Sequence, residues 1–236
     1  MIALALLLML GQGYKDATFH FARLEYRMDH DDSYIKGWYT DYPSMDTNSV
    51  HLINRITGVT AAVAKVRPNA AALHMFPFVY VVEPEQMLLS QAEAANLRTW
   101  ILRGGFLFLD DFHGETEFKQ TMDNVQKILP DAVPEELHTN HPLFHVFYDI
   151  NKIERVVNDG IAMCRPECEQ WENGPTGKDP KVFAVFSKQG DIQILMSYNN
   201  DVGDGLEFAD EPKYPHEMTT YATKFLINVV IWALTH

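Results

Sequence analysis

Cysteine is scarce in this sequence. Cys164 and Cys168 are the two present in 236 residues, spaced C-x3-C. Two thiols cannot build a zinc site without help from histidine, and the C-x-x-C spacing of redox motifs is absent. The pair reads as one optional disulfide or two free thiols in a loop, and it assigns no compartment. Bases are also in short supply, with 19 Lys and Arg against 32 Asp and Glu and a net charge of −13. A nucleic-acid binder needs a basic footprint to release counterions. No Lys/Arg cluster of that kind is present, so nucleic acid is discounted as a partner. An anionic membrane surface is disfavoured for the same reason. An acidic excess suits a soluble protein and one that concentrates cations.

Long hydrophobic runs are missing too. The apolar run Ile2–Leu10 is far short of the roughly 20 residues that cross a bilayer. With Gly11 and Gly13 behind it, the run is similar to the apolar core and cleavage region of a signal peptide, although a basic n-region is missing. The other reading is a buried first strand. The expected organisation is residues 1–13 as a leader remnant or first apolar segment and residues 14–236 as a single α/β domain. That places the protein outside the cytoplasm (periplasmic or secreted) if the run is a leader, or in the cytoplasm if it is not. No membrane insertion of the mature chain is expected.

Familiar catalytic motifs are absent as well. No G-x-S-x-G elbow is present. Gly177-Lys178 is followed by Asp179 where a Walker loop needs Ser or Thr, and no Rossmann glycine fingerprint follows the first strand. His113-Gly114-Glu115 lacks the P-C-x-x-C half of a zinc deaminase, and His216-Glu217 lacks the second histidine of a zincin.

What is there is an alternation of strands and helices. Residues 18–26 alternate and are rich in β-formers, reading as a first strand. Residues 28–44 read as a polar loop. Asp46 is placed as the N-cap of a helix carrying Val50, Ile53 and Ile56 on one face. Phe78–Val82 is a continuous apolar run, as in a strand buried on both faces. Ser90 and Glu93 form an S-x-x-E capping box for a helix that Gly104-Gly105 ends. Phe106–Leu109 is a second buried strand, which should stop at Asp110-Asp111. Residues 116–129 read as a helix stopped by Pro130, and Asn140-His141-Pro142 as a turn. The segments 182–186 and 192–197 flank Lys188–Asp191 as a hairpin. Residues 218–234 form a docked core helix, with Lys224 and Asn228 arguing against a membrane span. The fold class expected is α/β, a mostly parallel sheet with helices on both faces, of the flavodoxin-like kind.

In such sheets ligands bind outside the carboxyl ends of the strands. Three loops carry polar residues just after strands: Asp29, His30, Asp31, Asp32, Trp38 and Asp41; Asp110, Asp111, His113 and Glu115; and Asn199, Asn200, Asp201, Asp204 and Glu207. If their strands are parallel, all three emerge on one edge. Carboxylates and amides converging there suit a divalent cation such as Ca²⁺, Mg²⁺ or Mn²⁺, with Asp111 and Asp201 as candidate ligands. They equally suit a small hydroxyl-rich ligand such as a sugar. Trp38 would stack on it, and Asp41, His141, Asn199, Asn200, Asp201 and Glu207 would contact it. Each piece has a plainer reading: capping for Asp110-Asp111, a solvated loop for Asp29–Asp32, and turn chemistry for His141 and for Asn199–Asp201.

The segments Phe21-Ala22-Arg23-Leu24-Glu25-Tyr26, Trp38-x-x-Asp41-Tyr42-Pro43, Pro77-Phe78-Val79-Tyr80 and Gly104-Gly105-Phe106-Leu107 come first. Asp110-Asp111-Phe112, His141-Pro142-Leu143-Phe144, Asn200-Asp201-x-Gly203-Asp204-Gly205-x-Glu207 and Asn228-Val229-Val230 complete an ordered set. That order resembles the bacterial domain of unknown function 4159 family over nearly the whole chain after residue 17. The resemblance implies a class I glutamine amidotransferase-like fold. In that fold the strand after the Gly-Gly turn leads to an elbow presenting a catalytic cysteine. Here the strand ends in Asp110-Asp111 and neither cysteine is near, so amidotransferase activity is not implied. The resemblance also implies export and envelope partners linked to AAA ATPase and von Willebrand factor-like systems.

Three readings stand at this point. One is a binding module for a small polar ligand, with or without a divalent cation. Another is a metal-assisted hydrolase in which Asp110 or Asp111 is the base or metal ligand and His113 or His141 the acid. The last is a non-catalytic envelope partner.

Overall fold

Strand β1 (Phe19–Leu24) opens the fold, and helix α1 (Ser44–Thr57) follows a short 3-10 turn. Next come β2 (Ala61–Val66), β3 (Phe78–Val82), α2 (Gln91–Ile101), β4 (Phe106–Phe112) and α3 (Gly114–Ile128). The second half holds β5 (Glu135–Leu137), α4 (Asp159–Cys164), β6 (Lys181–Phe186), β7 (Ile192–Tyr198), α5 (Val202–Glu207) and α6 (His216–Thr235). This computed structural model describes residues 18–28, 37–164 and 167–236. The apolar run Ile2–Leu10 and the loop residues Asp29, His30, Asp31 and Asp32 lie outside the described residues.

The strands form one seven-stranded sheet in the order β2-β1-β3-β4-β7-β6-β5. The first five of that order are mutually parallel; β6 pairs antiparallel to β7 and β5 antiparallel to β6, so β6 alone is reversed. The parallel part has the 2-1-3-4-5 order of flavodoxin-like folds.

Side-chain alternation divides the core. Phe19, Phe21, Phe78, Tyr80, Phe106 and Phe108 point to the face covered by α1, α5 and α6. Ala22, Leu24, Val79, Val81, Leu107 and Leu109 point to the face covered by α2 and α3. Strands buried on both faces must be apolar throughout, which explains the unbroken FVYVV of β3.

Local chemistry explains the element ends. Ser90 Oγ accepts from the Glu93 amide while Glu93 Oε2 accepts from the Ser90 amide, the expected reciprocal cap. Gly105 lies flat against the Trp100 indole, where any Cβ would strike the ring. The expected hairpin is β6–β7, paired from Lys181 opposite Tyr198 to Phe186 opposite Ile192. Asn228 makes α6 a docked helix, its side-chain amide bonding both the Tyr148 N–H and the Tyr148 carbonyl at 2.8 Å. Among the described residues no helix is long and apolar enough to cross a membrane. Cys164 and Cys168 are joined as a disulfide.

Four expectations change. Asp46 is not a cap: Pro43 holds that position, and Asp46 is fully buried within the first turn of α1. Strand β4 does not stop before Asp110-Asp111 but runs on to Phe112, with a register shift against β7 between Leu109 and Phe112. Helix α3 starts at Gly114, two residues earlier than residue 116. β2 and β5 were not anticipated, because AAVAKV is weakly apolar and EEL is a short, mostly exposed edge.

Candidate functional site

Because β1, β3, β4 and β7 are parallel, their carboxyl ends and the loops after them share one edge of the sheet. Asp41 arrives there from the loop after β1, Glu83 from the end of β3, and Asp110 and Asp111 from β4. Asp201, Asp204 and Glu207 come from β7 and α5, and Glu172 from the segment before β6. The convergence that depended on strand order therefore occurs for the described residues. Asp41, Asp110, Asp111, Asp201 and Asp204 are all at most 9% exposed.

Asp110 ties the edge together. It accepts the Tyr80 hydroxyl at 3.0 Å, the Gly203 amide at 3.0 Å and the Val202 amide at 3.4 Å. Burial pushes its carboxyl up to about 7 against the opposing pull of these bonds. Its oxygens are committed, so Asp110 positions α5 against β4 rather than facing a ligand.

Asp111 is held differently. Its φ of 59° is a left-handed conformation rare for a side chain other than glycine. His113 Nε2 lies 3.0 Å from Asp111 Oδ1 and 3.6 Å from Glu172 Oε1. One ligand atom from each of the three lies within 4.8 Å of the others. Burial, then the charges of Asp201, Glu83, Asp41 and Glu172, push the Asp111 carboxyl well above its ordinary range. Burial lowers the His113 imidazole, with Glu172 and Glu117 pulling the other way. The His113 amide also donates to Glu117 at 2.6 Å, fixing the start of α3.

Asp41, Asp204 and Glu207 form a second group whose ligand atoms lie within 4.8 Å of one another. Asp201 stands between the groups. It caps α5 by accepting the Asp204 amide at 2.8 Å, and burial followed by the charges of Asp204 and Asp41 raises it strongly. Asp41 is raised by burial and then by Asp204, with Arg23 opposing. Asp204 is pushed up to about 7, chiefly by burial, despite accepting the Asp159 amide at 2.6 Å.

Sequence reasoning missed Arg23. It is fully buried in β1 and paired with Asp46 at 2.6 Å, and it donates to the carbonyls of Trp38 and Thr40. Its guanidinium lies 5.0 Å from the Tyr80 ring centroid. Its donors are thus committed elsewhere, and its charge reaches Asp41 only through space, where burial and Asp204 outweigh it. An arginine set between Ala22 and Leu24, in a strand whose other polar residue is His20, is the signal that was available. Glu172 was missed too, and no local pattern marks it. Glu83 and Glu85 extend the acidic field, Glu85 being raised to about 9 by burial and then by Glu83.

Other expected site residues do not join. His141 caps a 3-10 turn by accepting the Leu143 amide, and it packs against Phe186 and Trp232 at the amino edge, across the sheet from the acids. Asn199 spends its amide on Gly114, Thr176 and Asp179, and Asn200 spends its own on Val156 and Glu154. Both are structural fasteners. Trp38 is part-buried, meets Tyr39 and Tyr42, and has the Lys65 ammonium 5.1 Å from its ring centroid.

A search of curated proteins finds no match. A family described only as a domain of unknown function (DUF4159) matches residues 20–234, and the chain, carrying the acidic edge within that span, belongs to this family.

Proposed function

We propose that the carboxyl edge binds a divalent cation at Asp111, His113 and Glu172, and through it a small, oxygen-rich polar ligand of the carbohydrate type. The observation that carries this reading is the spacing about His113 Nε2, 3.0 Å to Asp111 Oδ1 and 3.6 Å to Glu172 Oε1. Ligand atoms bound at about 2.0–2.2 Å to one ion stand about 3 Å apart, so a small inward shift of Glu172 completes a three-ligand set. An imidazole with two carboxylates suits Mn²⁺ or Zn²⁺ better than an all-oxygen site does. The remaining positions would go to water and ligand hydroxyls. In this reading the scaffold is glutamine amidotransferase-like, with a carboxylate, Asp111, where that fold would present its nucleophile.

Metal-assisted hydrolysis is the second reading, and the strained Asp111 backbone favours it. A side chain held in the left-handed region costs about 1–3 kcal/mol, and such strain concentrates at functional positions. A cation there would lower the pKa of a bound water and generate the nucleophile.

Isothermal titration of the whole chain with Mn²⁺ tests the site. The expected result is saturable binding that Asp111→Asn and His113→Ala each weaken by at least about tenfold. Wild-type protein that shows no Mn²⁺ or Zn²⁺ heat would sink the reading. Glycan binding that survives EDTA would sink the link between cation and ligand.

A further inference from the structure

We infer that the same edge holds a second, all-oxygen cation site, formed by Asp41, Asp204 and Glu207 and suited to a hard ion of the Ca²⁺ or Mg²⁺ type. It rests on its own observations and not on the His113 site.

Asp41 is 6% exposed, and among the described residues no donor reaches its buried Oδ2. An unpaired carboxylate oxygen in the interior costs free energy unless a proton or a cation meets it. Other acids crowd the Asp41 carboxylate: one oxygen each from Asp41, Asp204 and Glu207 lie within 4.8 Å of one another. The base acting on Asp41 is Arg23, whose guanidinium is committed to Asp46 and to the carbonyls of Trp38 and Thr40. Space beside Asp41 is kept by Gly203, because a Cβ at that position would run into Asp41 Oδ2. α5 can therefore approach the loop of Asp41 closely, bringing Asp204 and Glu207 up to the Asp41 carboxylate.

The donor set is entirely oxygen, which selects hard cations over Zn²⁺. Asp204 Oδ2 already accepts the Asp159 amide, so Asp204 would bind through its remaining oxygen lone pairs. Glu207 is only part-buried, so it can swing to close the shell, with water filling the remaining positions. Ca²⁺ tolerates such irregular, partly hydrated shells better than Mg²⁺, which demands a near-ideal octahedron.

The rival occupant is a proton shared by Asp41 and Asp204, which lie side by side. The deciding experiment is Ca²⁺ titration of the whole chain at neutral pH, followed by calorimetry and by the thermal midpoint. The His113→Ala variant, which removes the nitrogen ligand of the first site, should bind Ca²⁺ as the wild type does. Asp41→Asn should lose at least tenfold in Ca²⁺ affinity. Glu207→Gln, at a part-buried position where folding is not at risk, should lose affinity in the same direction while its circular dichroism stays native. The inference is overturned if wild type takes up no Ca²⁺ or Mg²⁺, or if both Asp41→Asn and Glu207→Gln bind as wild type does. Loss of Ca²⁺ binding in His113→Ala alone would also overturn it, placing the ion at the first site.

Discussion

The two edges of the sheet make a sharp contrast. The amino edge holds the roomier cavity, about 900 Å³, walled by residues such as Leu102, Phe106, Leu129, Val133, Phe186 and Trp232. The carboxyl edge gathers the buried acids. Volume and charge thus single out opposite ends of the sheet. In a parallel sheet the helices that follow strands point their N-termini at the carboxyl edge. Here the Val202 and Gly203 amides serve Asp110, and the Gly114 amide serves Asn199. Those donors let acids persist in the interior at that edge. At the other edge α6 ends in Trp232 and His236, stacked 3.8 Å apart, over walls of mixed character.

The contrast can be broken at its strongest point first. Arg23→Met would strand Asp46 as an uncompensated buried charge and should cost about 3–5 kcal/mol by urea unfolding. The double change Arg23→Met with Asp46→Leu should recover much of that loss, since a buried pair is often replaceable by apolar residues. A double variant no more stable than Arg23→Met would show that the pair organises the loop after β1 in some further way.

The acids themselves set the next effect. In the folded chain Asp110 and Asp204 are raised to about 7 and Glu85 to about 9, above ordinary values of 3.8 and 4.5. The folded state therefore holds protons that the unfolded state releases. The stability they contribute is full below about pH 4 and is lost as pH rises through 7 and on to 9. Each such group adds up to about 1.4 kcal/mol per pH unit to the downward slope. Without added metal, the urea midpoint should fall between pH 5 and 9, and saturating Mn²⁺ with Ca²⁺ should flatten the fall. A midpoint that instead rises over that range would show these carboxylates ionised and internally paired.

Two smaller changes probe the amino edge. Gly105→Ala would push a methyl into the Trp100 indole, and such overpacking should cost about 1–3 kcal/mol. Cation binding at the far edge should be untouched, as titration of the variant would show. Val133→Ser, at a position 71% exposed, should alter stability by no more than about 0.5 kcal/mol. A larger loss in either Mn²⁺ affinity or stability from Val133→Ser would mean that the two edges communicate.

Much of the scaffold was legible because its causes are local. β3 begins and ends where its apolar run does, the Ser90–Glu93 cap needs only four residues, and the hairpin needs only a turn between two strands. The arrival of Asp111, Asp41, Asp201 and Glu207 at one edge was also legible, through the rule that parallel strands deliver their loops to one edge. The roles that failed are set by distant partners. Asp46 suits a cap by type, but Arg23, 23 residues away, draws it inward. Asn199 and Asn200 suit a ligand by type, yet partners between 20 and 85 residues away claim their amides. His141 suits a ligand by type, but Phe186 and Trp232, 45 and 91 residues away, take its ring at the amino edge. Glu172 has no regular element of its own to predict it.

The two asparagines have a consequence for how the molecule holds its shape. Among the described residues, the stretch from residue 146 to 180 contains one short α-helix, one 3-10 turn at Gly174–Gly177 and otherwise irregular backbone, and Glu172 rides on it. Asn200 clasps it at Glu154 and Val156, and Asn199 clasps it at Thr176 and Asp179. These clasps bracket Glu172 from before and behind, and both hang from consecutive residues at the end of β7. A long, irregular segment thus takes much of its posture from the end of one strand, as a curtain does from two rings on one rail. Beside Glu172 itself, Asn173 adds a pin to the His113 carbonyl and to Glu117, so the reach of Glu172 toward His113 is set jointly by the end of β7 and the start of α3.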